Sequence, residues 1–99
     1  MNVLDLSLGG CLLSGRSSLD VDLVRDVRFV CNDDGWSVVL RLKIVHRVCR
    51  NGGGSTPIDY VFGCAFIDPE DLRVMHSVDG LIARATGILA FPDVASSLT

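Results

Sequence analysis

No apolar run in this 99-residue sequence approaches the roughly 18 residues that a membrane-spanning helix needs. The N-terminus lacks the basic start and apolar stretch of a secretory signal. Lys and Arg number nine against twelve Asp and Glu, giving a net charge of −3. That balance argues against nucleic-acid polymers and membrane surfaces, which favour an excess of cations. It leaves room for a small anionic ligand met by a local cluster of arginines. Cys11, Cys31, Cys49 and Cys64 include no C-x-x-C pair, and zinc sites usually show at least one. Each cysteine lies among apolar neighbours and reads as a small buried hydrophobe. The expectation is a cytoplasmic protein with reduced thiols, no metal and no resident cofactor.

Catalytic signatures are scarce too. Ser7, His46 and an aspartate could be drawn together on paper, but no nucleophile elbow or oxyanion arrangement accompanies them. His46 and Cys49, three apart on an alternating strand, point to opposite faces. Gly52-Gly53-Gly54 lacks the Lys of a phosphate-binding P-loop and reads as a flexible linker. The chain is read as a non-enzyme.

What is present is the composition of one folded domain: 48% hydrophobic and 21% charged residues. Strands come first and a helix last. Asn2–Leu6 and Cys11–Leu13 are strand candidates, followed by a loop over residues 15–18. Residues 27–31 alternate with period 2, and Asn32-Asp33-Asp34-Gly35 is a hairpin turn. The strand from Val38 puts Val38, Leu40, Leu42, Ile44, His46 and Val48 on a core face, which makes His46 a core-edge residue. Arg41, Lys43 and Arg47 form a basic stripe on the other face, read as solvated. A hairpin loop over 51–57 leads to an apolar strand over 58–67, whose central Gly63 signals a bulge or a close backbone approach. Asp68 is expected to cap a helix with Pro69 in its first turn. Leu72, Met75, Val78, Ile82 and Ala85 would form its apolar face, Gly80 would cost it about 1 kcal/mol against Ala, and Gly87 would end it. The expected organisation is a domain over 1–87 and an irregular tail over 88–99.

The densest local pattern is Asp5-Leu6-Ser7-Leu8-Gly9-Gly10. A carboxylate and a hydroxyl two positions apart share one side of an extended strand. The glycine pair then allows a sharp turn and a close approach to whatever those two groups hold. With it stand Val45-His46-Arg47-Val48 and Phe62-Gly63-Cys64-Ala65-Phe66-Ile67-Asp68 before a helix. In type, order and spacing these segments, within Val3 to Arg84, resemble the PilZ domain, the bacterial receptor module for cyclic di-GMP. Asp5 to Gly10 matches the family's D/N-x-S-x-x-G motif. The resemblance implies a mainly β fold: a small antiparallel barrel closed by a C-terminal helix. It also implies a ligand site at Asp5, Ser7, Gly9 and Gly10, with Asp5 accepting hydrogen bonds from a guanine edge, Ser7 adding a polar contact and Gly10 allowing close approach. The implied partners are cyclic di-GMP and a protein or fused domain that receives the signal, in motility, pilus or exopolysaccharide regulation.

One part of the family pattern is not found. Its R-x-x-x-R motif, which grips the phosphates, lies upstream of the aspartate, and only four residues precede Asp5. Arg25/Arg28 and Arg47/Arg50 are spaced i,i+3 and lie downstream, and Arg16 is a candidate partial substitute. Two alternatives follow: a domain that begins upstream of Met1, which carries slightly more weight, or a degenerate member acting as a ligand-independent adaptor. The family's first strand also lacks a counterpart. Its loss would leave Asn2–Leu6 with an edge open to pairing with a second copy.

Overall fold

A computed structural model of the protein describes residues 1–50, 59–84 and 87–92. The expected loop over 51–57, the first residue of the apolar strand, Ala85 and residues 93–99 lie outside the described residues. Six strands and one helix follow in order: β1 (Asn2–Leu6), β2 (Gly10–Gly15), β3 (Val24–Cys31), β4 (Ser37–Arg50), β5 (Asp59–Phe66), α1 (Leu72–Arg84) and β6 (Ile88–Pro92). Every strand pairing is antiparallel, and the order β1-β2-β5-β4-β3-β6 closes on itself as a barrel. The fold is the expected one, a small antiparallel barrel with a C-terminal helix.

The barrel interior is filled by the inward side of the alternating strands. Leu13, Val27, Phe29, Leu42, Ile44 and Phe62 are fully buried there, and Val78 and Leu81 of α1 complete the core. Burying a side chain of this size contributes about 1.5–3 kcal/mol. The same alternation carries Val39 and Val45 outward, where both are more than half exposed.

Several expectations are corrected. Ile88–Pro92, expected as irregular tail, is β6 and belongs to the barrel. It runs along β3 from Cys31↔Ile88 to Val27↔Pro92, and meets β1 at Asn2↔Leu89. Ile88 and Ala90 face the core, so two apolar side chains at alternate positions outweigh Pro92 at the strand end. This pairing also covers the β1 edge that was expected to be open: the Met1 ammonium donates to the Ala90 carbonyl at 2.8 Å, and the Ala90 amide donates back at 2.9 Å.

The helix begins at Leu72, and its cap is Asp71. The Asp71 carboxylate accepts from the Arg73 amide at 2.8 Å, and its carbonyl accepts from Met75. Asp68 instead sits at φ 52° in the preceding turn, where its carbonyl accepts from the Asp71 amide. The buried face is Val74, Val78 and Leu81, whereas Leu72, Met75 and Ile82 are exposed. Gly80 sits against the Trp36 ring. A β-carbon there would lie 2.9 Å from the Trp36 ring, so the tryptophan packs where only glycine leaves room. The Arg84 guanidinium stacks 4.2 Å from the same ring and donates to Asp34.

Candidate functional site

Cross-strand partners in an antiparallel sheet point to the same side, so the strand registers decide which residues share a face. Asp5 pairs with Leu12, Leu12 with Gly63, and Gly63 with His46. This four-residue row lies on the outer wall of the barrel, across β1, β2, β5 and β4. Together with Ser7, Gly9, Gly10 and Val45 it lines an open cleft of about 320 Å³. All four residues singled out in the sequence, Asp5, Ser7, Gly9 and Gly10, border this one cleft.

The β1–β2 turn sets their geometry. The Ser7 amide donates to the Gly10 carbonyl at 2.9 Å, and the Ser7 hydroxyl donates to the same oxygen at 3.2 Å. Asp5 accepts from the Leu6 amide at 3.0 Å through one carboxylate oxygen. A carboxylate offers about four lone-pair sites, so most of its accepting capacity remains for a ligand's N–H groups. The two glycines differ. A β-carbon at Gly10 would fall 2.0 Å from the Cys64 carbonyl oxygen, whereas at Gly9 nothing lies within 4 Å. The close approach at Gly10 is therefore made by the protein's own β5, and Gly9 is the one that leaves the cleft open.

Sequence alternation missed His46. The β4–β5 register shifts between Ile44 and His46, a bulge with Val45 as the extra residue. Beyond it the faces of β4 exchange. His46 leaves the core side and is exposed, and Arg47 turns to the side of Phe62. Arg47 there donates to the Ser18 hydroxyl at 2.8 Å and lies 5.8 Å from the Tyr60 ring. Gly63 is the signal that could have found the histidine, since it stands opposite the imidazole and makes room for it.

Among the described residues no Arg or Lys borders the cleft. Arg16 lines a separate hollow with Asn2, Leu4, Ser14, Arg50 and Asp59. The bulge also splits the expected basic stripe, since Arg41 and Lys43 stay outward while Arg47 turns to the side of Phe62, and each is paired: Arg41 with Asp26 at 3.0 Å, Lys43 with Asp22 at 3.7 Å and Arg47 with Asp20 at 3.7 Å. Arg50 pairs with Asp59, and Arg28 lies 6.0 Å from the Phe91 ring. The cysteines divide. Cys11, Cys31 and Cys64 are buried as expected, but Cys49 is exposed, because it lies beyond the bulge where β4 leaves the core. Cys11 and Cys64 are cross-strand partners behind the cleft. The hydrogen bond with Cys64, together with burial, pushes the Cys11 thiol far above the usual thiol range.

Among the described residues, no group of three or more His, Cys, Asp or Glu could hold a metal ion. No described helix is long and apolar enough to cross a membrane. Comparisons of the chain with protein-family models, curated proteins and solved structures find no match.

Proposed function

We propose that this protein is a PilZ-type module that receives cyclic di-GMP in the cleft of Asp5, Ser7, Gly9 and Gly10 and passes the signal to a protein partner. The observation that carries the reading is the meeting of all four motif residues at one open cleft on the outer barrel wall. Asp5 supplies a charged acceptor for the N–H edge of a guanine, and charge-assisted bonds of this kind are roughly twice as strong as neutral ones. Ser7 adds a polar contact at the turn. The phosphates would need cations from outside the cleft. Without them several bonds worth about 1.5–3 kcal/mol each are lost, which moves a micromolar site toward millimolar.

A calorimetric titration with cyclic di-GMP tests this. Heat from the native chain that disappears in Asp5→Ala and weakens in Ser7→Ala supports the reading. No heat at millimolar ligand overturns it for this chain.

A second reading, a ligand-independent adaptor, is favoured by the absence of Arg and Lys among the described residues that line the cleft and by the exposure of Leu8 (69%) in the turn that borders it. It predicts no response to the nucleotide and retention of a protein partner by the Asp5→Ala variant.

A further inference from the structure

His46 lies against Gly63 in a way that goes beyond ordinary strand packing. A β-carbon built on Gly63 would fall 2.1 Å from Cε1, 2.4 Å from Nδ1 and 2.8 Å from Nε2 of the imidazole. An edge-on ring would hold both nitrogens well behind Cε1. Three consecutive atoms at these similar distances mean that a ring face covers the glycine. The ring therefore occupies the place of the missing side chain, and it is exposed on its other side at the cleft. The Val45 bulge is what brings the histidine out of the core row and onto this face. Asp5 stands in the same row, two strand spacings from Gly63, or about 10 Å. Leu12 stands between them in that row, and both border the open cleft.

We propose that His46 is a stacking platform for the base of a guanine nucleotide whose hydrogen-bonding edge is read by Asp5. This rests on the reading of the cleft as a nucleotide site and names how that site holds a ring. A flat aromatic face and a carboxylate at opposite ends of one groove select a planar heterocycle with N–H donors. A guanine has a ring N–H and an amino group side by side on one edge, whereas adenine has an unprotonated ring nitrogen, an acceptor, beside its amino group. The carboxylate accepts from the first and repels the second. Base–aromatic stacking contributes enough for its loss to be measured. Gly63 is the second half of the device, because any side chain there would evict the ring.

The test compares affinities for cyclic di-GMP and GMP, with AMP as control, in the native 99-residue chain and in His46→Ala, His46→Phe and Gly63→Ala. The platform predicts about tenfold weaker binding of guanine nucleotides in His46→Ala and in Gly63→Ala. It predicts near-native affinity in His46→Phe, which keeps an aromatic face. Thermal unfolding of each variant is measured alongside. Native binding that His46→Ala leaves unchanged overturns the platform alone and makes the ring a cover for the glycine backbone. Equal affinity for AMP and GMP also overturns it. No binding of any purine nucleotide by the native chain overturns the nucleotide reading and the platform with it.

Discussion

Gly10 cannot take a side chain without moving the strand beside it, since the obstructing atom is the Cys64 backbone carbonyl 2.0 Å away. Gly10→Ala should therefore cost about 1–3 kcal/mol, the range for forcing an extra carbon into a packed site. Gly9→Ala, with open space around it, should leave the urea midpoint within error of native. Equal losses at the two positions would contradict this division. The motif was legible in the sequence as a group, but its division of labour was not. Which glycine faces the cleft and which faces β5 depends on the pairing of Gly10 with Ala65, a contact 55 residues distant in the chain. His46 was misplaced for a related reason. One bulged residue reverses every face after it, and period-2 alternation contains no mark of it.

Among the elements, the helix shows how local signals compete. Asp68 and Asp71 both precede the apolar run, and either could cap it by composition. Asp71 does so, and Asp71→Ala should destabilise the protein by about 1 kcal/mol in chemical denaturation. Asp68→Ala tests the alternative and should not remove a cap; if its loss matches that of Asp71→Ala through the helix terminus, the assignment fails. The β3–β4 turn has a pH signature. The Trp36 amide bonded to Asp34, with further help from the Cys31 thiol and the Arg84 guanidinium, holds the Asp34 carboxyl below its usual range. A carboxylate with a lowered folded-state pKa stabilises the fold fully above its unfolded value, near 4, and loses that contribution as pH falls through the lower folded value. Asp34→Asn should therefore show a shallower loss of stability below about pH 4 than the native chain, measured as unfolding midpoints against pH. Strands β1 to β5 were legible because each alternates or is bounded by turn residues. The helix face was legible only in part, because 72/75/78/82 and 74/78/81 are both helical sets that share Val78, and packing on the barrel buries the second.

For the whole molecule, closure depends on β6. Its inward Ile88 and Ala90 are buried, and it bridges β3 to β1. A substitution there acts on the barrel, not on a tail: Ala90→Asp should abolish cooperative unfolding or lower the midpoint by more than any surface change in the chain. Phe62→Ala, at a fully buried ring, should cost about 3–5 kcal/mol. Strands followed by a helix were legible in the sequence, and the barrel was what the family resemblance implied. Its closing strand was not legible, since five apolar residues ending in proline carry little periodicity, and tertiary pairing decides them. Amide chemical-shift mapping during a cyclic di-GMP titration shows whether the nucleotide meets the outer wall of this barrel. Binding at the cleft should concentrate the shifts in Asp5–Leu12, Val45–His46 and Gly63–Ala65 and leave none in Asp5→Ala. A spectrum unchanged at millimolar nucleotide, or shifts confined to the Arg16 and Arg50 hollow, would contradict the cleft as the binding site.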